Sequence, residues 1–405
     1  MSFLKKINQL FKVIIMKNFE FYNPVKVCFG KGEIAKLTGL VPLEANILLT
    51  YGGGSIKKNG VYEQVMEALK EFNVIEFSGI EANPHYETLM NGVALIKAQH
   101  IDFLLAVGGG SVLDGTKFMA AAALWEGSDP WDILSKRGKV RVDKALPLGT
   151  VLTLPATGSE MNGTSVVTRW ETKDKLAFDS VHVFPRFSIL DPEVVFSLPR
   201  IQVVNGIVDA FIHVMEQYLT YPANAPVQDR FAESLLTTLM EEGPRVLADR
   251  TDYDAAANFM WAATMALNGL IGVGVPQDWA THMIGHELTA LHGIDHGQTL
   301  CIILPGIMQI KRKNKEEKLL QFGQRVLKIT EGTTNQKIDA IIEKTIDFFE
   351  SFGIKTKLAD YGVGSEIIPQ VIERFTKRGI KAIGERGDLT LEDIAKILEL
   401  QLKPS

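Results

Sequence analysis

Two copies of the tetrapeptide Gly-Gly-Gly-Ser, at 52–55 and 108–111, constrain the fold of this 405-residue chain more than any other feature. Each copy follows a short apolar segment, residues 46–51 in the first case and 101–107 in the second. Apolar runs of this length are typical of strands that are buried on both faces of a parallel sheet. Helical spacing of apolar residues resumes after each loop, so each glycine run is predicted to join a strand to a helix. Backbone amides at such a helix start can bind phosphate, because glycine lets the main chain come close.

Strand and helix patterns alternate through the first half of the chain. Strands are predicted at 26–29, 46–51, 73–77, 101–107, 145–154 and 187–190, and a hairpin is predicted between 164–170 and 175–178. This alternation predicts an α/β domain with a Rossmann-like, mostly parallel sheet that helices cover on both faces. The usual dinucleotide fingerprint G-x-G-x-x-G is absent, because Leu113 stands where its third glycine would be.

The strand patterns stop after Pro199. Helices are predicted at 200–220, 226–241, 252–270, 276–291, 299–312, 316–329, 335–352, 366–377 and 391–401. A chain of this length favours two domains over a single core. We therefore predict a dinucleotide-binding α/β N-terminal domain over 16–191, followed by an all-α C-terminal domain over 192–405.

The ends and the composition exclude several classes of protein. Residues 1–15 are predicted to be an N-terminal extension, because the sequence from Met16 looks like a more natural beginning. A secretory signal is not expected, because their basic start is not followed by a continuous apolar core. No apolar run is long enough to cross a bilayer, and the net charge of −5 gives no reason to expect nucleic acid or a membrane as partner. Cys28 and Cys301 lie far apart in apolar segments, which favours buried thiols in a reducing compartment. A cytoplasmic location is the expectation.

The first glycine loop bears on the choice of nucleotide. Proteins that prefer NAD often place an acidic residue where it can accept the ribose 2′-hydroxyl. Here Gly53, Gly54 and Ser55 are followed by Lys57 and Lys58, without an acid. The loop therefore leaves room and positive charge for a 2′-phosphate, although the two lysines have the alternative reading of a solvated helix edge.

Histidines and one carboxylate form two pairs at helical spacing in the second half. Asp209 and His213 are four residues apart, as are His282 and His286, so each pair shares one face of a helix. His296 follows beyond a turn. A single pair of this kind is more often an ordinary helix-surface feature. Two pairs with a further histidine favour a metal site, and this mixture of imidazole and carboxylate suits zinc or ferrous iron rather than calcium or magnesium.

These residues together resemble the iron-containing alcohol dehydrogenases, in particular their NADPH-dependent aldehyde reductase and butanol dehydrogenase branch. The resemblance extends from Met16 to the C-terminus. It is carried by GGGSVLDGTK at 108–117, by TLPATGSE at 153–160, and by Asp209-Ala-Phe followed by Glu216.

The resemblance implies a site residue by residue. One divalent metal, Fe²⁺ or Zn²⁺, would be bound by Asp209, His213, His282 and His296, with His286 beside the nicotinamide and substrate. It implies that the nucleotide is held by Gly109, Gly110, Ser111, Asp114, Thr153, Thr157, Ser159 and Lys175, to which the pattern of the first glycine loop adds Gly53, Gly54 and Ser55. It also implies a homodimer.

The implied activity is metal-dependent interconversion of aldehydes and primary alcohols, mainly aldehyde reduction with NADP(H), although NAD(H) remains possible. Trp170, Phe178, Met265, Leu267 and Trp279 are predicted to line an aldehyde pocket, with plain core packing as their alternative. If Trp170 faces the cleft, strand alternation turns Arg169 away from it, which favours small neutral substrates.

Rival functions on the same architecture are a polyol-phosphate dehydrogenase and a dehydroquinate synthase-like metal enzyme. A non-enzymatic binding module would explain the glycine loops but not four spaced metal ligands.

Overall fold

A computed structural model describes residues 16–136 and 138–402, so the predicted extension at 1–15 lies outside the described residues. The N-terminal part contains eight strands, in chain order β1 (Lys26–Phe29), β2 (Asn46–Thr50), β3 (Asn73–Phe77), β4 (Phe103–Gly109), β5 (Leu148–Leu154), β6 (Thr164–Arg169), β7 (Asp174–Asp179) and β8 (Phe187–Leu190). Its helices are α1 (Leu37–Leu40), α2 (Val61–Ala68), α3 (Tyr86–Ala98), α4 (Gly110–Ala123) and α5 (Asp132–Ser135).

Six of these strands form one parallel sheet in the order β1-β8-β5-β4-β2-β3, while β6 and β7 pair as a separate antiparallel hairpin. The Rossmann-like sheet and the hairpin are thus confirmed. The connection from β2 to β3 leads to one edge of the sheet, whereas the chain then returns past β2 to begin β4 and continues toward the other edge. The direction of the connections therefore reverses between β2 and β4. A crevice that binds ligands is expected at such a switch point, outside the carboxyl ends of the strands.

Helix α4 is the central helix of this part, and nearly all of its residues are buried. Its small residues allow this close packing. A Cβ added at Gly115 would lie 2.7 Å from the Leu89 side chain of α3, which is the helix that packs beside it. The glycine and alanine content of α4 therefore lets α3 and α4 approach closely. This packing sets the position of the second glycine loop, which leads into α4.

The C-terminal part contains nine helices among the described residues. They are α6 (Arg200–Tyr218), α7 (Pro226–Ala248), α8 (Tyr253–Ala266), α9 (Ala280–His292), α10 (His296–Ile310), α11 (Glu316–Arg325), α12 (Thr334–Glu350), α13 (Ile367–Lys377) and α14 (Leu391–Leu402). All nine helix predictions correspond to helices, with ends shifted by up to seven residues. His296 begins α10 directly, three residues earlier than the predicted helix start at 299.

The prediction of an all-helical second part needs one correction. Strands β9 (Ala382–Ile383) and β10 (Leu389–Thr390) pair antiparallel between α13 and α14. Two residues are too few for an alternating pattern to be visible in a sequence. The turn that joins these strands includes Gly384 and Gly387, both with positive φ.

Apolar packing joins the two parts of the chain. One large core combines the sheet with helices α6, α7 and α8, and a second, smaller core lies among α9, α10, α13 and α14. The division at 191/192 stays a prediction. Within residues 16–136 and 138–402, no helix is both long enough and apolar enough to cross a membrane.

Candidate active site

A cavity of about 1620 Å³ lies between the carboxyl edge of the sheet and the helical part. Both glycine loops line it, side by side, because β2 and β4 are neighbouring strands. Every predicted nucleotide-binding residue lines this same cavity: Gly53, Gly54, Ser55, Gly109, Gly110, Ser111, Asp114, Thr153, Thr157, Ser159 and Lys175. Their roles in binding stay predictions.

The glycines in the two loops serve different purposes. A Cβ added at Gly110 would lie 2.5 Å from the Thr157 side chain, so glycine is required where α4 begins against the following loop. A Cβ added at Gly53 or Gly54 would meet no described atom within 4 Å, which leaves open space beside the first loop. Gly54 also has φ +87°, a conformation that favours glycine. The second loop is therefore packed against protein, and the first faces room for a ligand.

The two lysines after the first loop differ in their surroundings. Lys57 Nζ lies 3.1 Å from Glu76 Oε2 and 4.4 Å from the centre of the Tyr62 ring. Lys58, in contrast, lines the cavity. Of the two, Lys58 is the one placed to meet an anionic group in the cavity.

Asp114 and Ser159 are engaged with the protein itself. The Asp114 carboxylate accepts hydrogen bonds from Ser159 Oγ at 2.6 Å and from the Val166 amide at 3.0 Å. Ser159 Oγ in turn accepts from Lys117 Nζ at 2.9 Å. Burial raises the pKa of Asp114, and burial lowers the pKa of Lys117 to about 8. This buried network ties α4 to the 153–160 loop and to β6, so it holds the wall of the cavity.

Lys175 lies on β7 and lines the cavity between the glycine loops and the histidines. Its Nζ donates to Asn83 Oδ1 at 2.8 Å, and burial lowers its pKa to about 8. Its charge contributes to the low pKa values of His286 and His296, although burial is the larger cause. Lys175 thus adds positive charge next to the histidine cluster.

The four predicted metal ligands converge on one point. Helix α6 carries Asp209 and His213, α9 carries His282, and His296 is the first residue of α10. The Nε2 atoms of His213, His282 and His296 lie 3.6, 3.7 and 3.7 Å from Asp209 Oδ1. Tetrahedral ligands bound at about 2.1–2.2 Å stand roughly 3.4–3.6 Å apart.

Unsatisfied polar atoms support a metal at this point. Asp209 Oδ1 and His282 Nε2 are buried, and no described group donates to or accepts from either of them. Buried polar atoms nearly always have a partner, so two unpaired atoms facing one another fit the binding of a cation between them. Asp209, His213 and His282 also form a buried group whose ligand atoms all lie within 4.8 Å of one another. The donor set therefore fits a divalent ion, and His296 completes it.

The low pKa values of His213 and His296 suit ligation, whereas His282 must give up a proton before it can bind a metal. Burial lowers the pKa of His213 to about 4 and lowers that of His296 well below its ordinary value. His282 differs, because burial is outweighed by Glu216 and Asp209, which raise its pKa to about 9. Neutral imidazoles have a free nitrogen lone pair, which is the form that binds a metal.

His286 lies beside the metal cluster, not within it. Its ring centre is 6.0 Å from that of His282 and 5.1 Å from that of His296. It lines the cavity, and burial lowers its pKa well below the ordinary value. His286 is therefore a neutral imidazole on the cavity wall beside the predicted ligands, and its role next to the substrate stays a prediction.

Three of the five predicted pocket residues line the cavity, namely Phe178, Leu267 and Trp279. Trp279 has φ +62°, and its ring edges toward those of His213 and His282, at centroid distances of 6.1 and 5.4 Å.

The prediction was wrong for Trp170 and Met265, which are not among the described lining residues. Trp170 is 63% exposed at the end of the hairpin and packs on His85. The Met265 sulfur accepts from Asn268 Nδ2 at 3.1 Å, outside the described cavity wall.

Arg378 is a charged residue at the cavity that sequence reasoning missed. Arg169 indeed points away, over the Tyr86 and Trp131 rings, although the premise that Trp170 faces the cleft was wrong. Arg378 reaches the cavity from just beyond α13, and it pairs with buried Glu287 and with Asp174 at 2.7 Å. No signal in the sequence linked positions this far apart.

Comparison with known proteins identifies the family. The model described as iron-containing alcohol dehydrogenase matches residues 24–192, and that described as the C-terminal part of the Fe-containing alcohol dehydrogenase family matches residues 203–402. The chain belongs to the iron-containing alcohol dehydrogenase family, as its sequence resemblance predicted, and it is a metal-dependent oxidoreductase of aldehydes and alcohols.

Particular relatives cover nearly the whole chain. It is 55% identical over 385 residues to the NADPH-dependent aldehyde reductase YqhD of Escherichia coli (strain K12), covering 95% of this chain and 99% of that protein. The crystal structure of YqhD from E. coli K-12 matches with a TM-score of 0.94 at 54% identity, covering 96% of this chain and 99% of that one. The probable NADH-dependent butanol dehydrogenase 1 of Bacillus subtilis (strain 168) is 43% identical over 392 residues, covering 96% of this chain and 100% of that protein.

Proposed function

We propose that this enzyme mainly reduces small neutral aldehydes to primary alcohols, with NADPH as the preferred nucleotide and one Fe²⁺ or Zn²⁺ as metal. The observation that carries the proposal is the convergence of three Nε2 atoms on Asp209 Oδ1, within 3.6–3.7 Å, at a cavity that both glycine loops share. Metal and nucleotide would therefore meet in one cavity. The names of the E. coli and B. subtilis relatives support an aldehyde or a simple alcohol as substrate.

The residues present fit both groups. When bound, the ion would supply a Lewis acid for the aldehyde oxygen, and the nicotinamide would supply a hydride for the carbonyl carbon. The amides of Gly109, Gly110 and Ser111 at the start of α4 are assigned to the pyrophosphate, because a helix start attracts anions. Lys175 and neutral His286 are assigned to orienting the ribose and the substrate. The apolar wall excludes water and thereby strengthens each polar contact.

The preference for NADPH over NADH is proposed from the first loop. It offers the Ser55 hydroxyl, the Lys58 ammonium and open space beside Gly53, and it contains no carboxylate. The relatives differ in this respect by name, since the E. coli protein is called NADPH-dependent and the B. subtilis protein NADH-dependent. NADH use is therefore a measurable alternative.

A neutral substrate is proposed because the arginine that lines the cavity is already paired with carboxylates of the protein. Arg378, which lines the cavity, is already paired with Glu287 and Asp174, so its fork is not free to hold an anion. Phe178, Leu267 and Trp279 give the cavity an apolar wall instead.

The test is steady-state reduction of an aldehyde panel, with NADPH and NADH in parallel, after reconstitution with Fe²⁺ or Zn²⁺. We expect kcat/KM for butanal to exceed that for a phosphorylated or carboxylated aldehyde of similar length. A preference for the anionic substrate would contradict the proposal and favour a polyol-phosphate dehydrogenase. Turnover without net NADPH consumption would instead indicate a synthase-like reaction.

We further propose a cytoplasmic homodimer, in which residues 16–191 carry the nucleotide and 192–405 the metal ligands. Size-exclusion chromatography with light scattering tests the assembly, and a monomer at working concentration would contradict it.

A further inference from the structure

One buried carboxylate next to the metal ligands has no role in the function proposed so far. Glu216 is 3% exposed and lies on α6, three residues after His213, so the two side chains share one face of the helix. Asp209, His213 and Glu216 therefore lie one after another on the same face of α6.

Glu216 accepts hydrogen bonds from three groups at the start of α9. Its Oε1 accepts from the Thr281 amide at 2.6 Å and from the His282 amide at 3.3 Å. Its Oε2 contacts Nδ1 of the His282 ring. An ionised carboxylate only accepts, so the His282 proton must lie on Nδ1, which leaves the Nε2 lone pair directed toward Asp209.

This arrangement distinguishes His282 from the other two histidine ligands. Nδ1 of His213 and Nδ1 of His296 are buried and have no hydrogen-bond partner among the described residues. A carboxylate that holds the far nitrogen of a ligating imidazole fixes its tautomer and orientation and makes it a stronger donor to the metal.

We propose that Glu216 is the positioning residue of the metal centre, which acts through His282 to set how tightly the divalent ion is held. The inference rests on the proposed metal site and adds to it a residue that does not itself touch the ion. Its carboxylate also offsets, together with Asp209, the two positive charges of a bound cation. Loss of this residue would therefore weaken metal binding before it weakened the fold.

Replacement by glutamine tests the tautomer directly. All three groups that face Glu216 are donors, whereas an amide offers one acceptor and one donor group. If Glu216→Gln keeps its oxygen on the Thr281 and His282 amides, its NH₂ group must face Nδ1. His282 is then driven to the tautomer with the proton on Nε2, which cannot bind a metal. Metal affinity should fall about 10–100-fold while the apo protein keeps its melting temperature.

The experiment measures the dissociation constant of Zn²⁺ by chelator competition, the visible absorption of the Co²⁺-loaded protein, and the melting temperature of the apo protein. Glu233→Gln is the matched control, because Glu233 is also a buried carboxylate, but it bonds Tyr218, Gln321 and Arg325 instead of a ligand. The control should bind Zn²⁺ like the unaltered protein. Glu216→Asp, one methylene shorter, should show an intermediate loss of affinity and an altered Co²⁺ spectrum.

Each outcome decides one point. An unchanged Zn²⁺ affinity and Co²⁺ spectrum in Glu216→Gln would overturn the proposal, as would a lower apo melting temperature with normal affinity. Failure of both Glu216 variants to fold without metal would make the residue structural and would equally overturn it. His213→Ala serves as a separate arm. If that variant keeps its metal, the proposed metal site itself is wrong, whereas a loss there with normal binding in Glu216→Gln refutes only the role of Glu216.

Discussion

The polar side chains around the cavity differ in how many of their hydrogen-bonding atoms have a partner within the protein. Asp114 and Glu287 have protein partners on both carboxylate oxygens. Asp209 Oδ1 and His282 Nε2 have none among the described residues, although both are buried. At the scale of single residues, this difference separates the groups that build the wall from those left open for a ligand.

Removal of one metal ligand gives the first prediction. We expect His213→Ala to lose bound metal and activity while keeping the fold, because the ligand is removed from a helix that packs in a large core. Elemental analysis and circular dichroism measure the two effects. The exposed residue His182 provides the control, and His182→Ala should retain full occupancy. Full metal occupancy in His213→Ala would remove this residue from the site.

Nucleotide preference gives a second prediction at this scale. Gly54 has φ +87°, so a side chain there would be strained, whereas Gly53 has ordinary φ and open space beside it. We expect Gly53→Asp to lower kcat/KM for NADPH by about tenfold or more, a change of about 1.4 kcal/mol, because the carboxylate repels the 2′-phosphate.

The control for this nucleotide test is Gly53→Asn, which has nearly the same size without the charge. It should leave the ratio of kcat/KM for NADPH and NADH close to that of the unaltered protein. An equal shift in both variants would mean that bulk, and not charge, acts at this position.

At the scale of elements, the hairpin of β6 and β7 is attached to the helical part by a group of charges. Arg374 Nη2 donates to the Lys173 carbonyl at 2.6 Å, and Arg378 bonds Asp174 at 2.7 Å. Both arginines also contact Glu287 of α9. This group of contacts therefore connects α9, the α13 region and the hairpin at the rim of the cavity.

Loss of Arg378 should loosen this connection. We expect Arg378→Ala to destabilise the protein by about 1.5–3 kcal/mol in urea unfolding, since hydrogen bonds to charged groups are lost. Trypsin should also cleave faster after Lys173, in the turn of the hairpin. The control Lys377→Ala removes an exposed cation at the end of α13, one residue before Arg378, and should stay within about 0.5 kcal/mol of the unaltered protein. Equal stability of the two variants would show that the contacts at the rim do not hold the hairpin.

The elements also show what the sequence could and could not predict. The helices follow from a periodicity that repeats over several turns, and the ligands Asp209 and His213 follow from spacing within one of them. Alternation along β6 assigned Trp170 to a face, but it could not show that the hairpin end projects into solvent. The pairing of Arg378 with Asp174 depends on how distant segments pack, and local patterns contain no information about that.

At the scale of the whole molecule, the proposed metal ligands come from three helices, α6, α9 and α10. A bound ion therefore joins them, and binding only to the folded state adds stability. We expect removal of the metal by a chelator to lower the unfolding free energy by about 4 kcal/mol, relative to protein with free metal at about 1,000 times its dissociation constant. Differential scanning calorimetry measures the change. The same treatment should leave His213→Ala unaffected, and an equal effect on both proteins would show that the chelator acts elsewhere.

Trp279 has a consequence for how this centre can be observed. Its left-handed backbone, at φ +62°, sets the indole against the rings of His213 and His282. The protein thus contains an intrinsic fluorophore within about 6 Å of two ligands. An open-shell ion such as Fe²⁺ or Co²⁺ should quench its emission, whereas closed-shell Zn²⁺ should not. The chain has five tryptophans, so the part of the emission that belongs to Trp279 is the part that Trp279→Phe removes. Quenching of that part would report, in real time and without added dye, which kind of ion occupies the site.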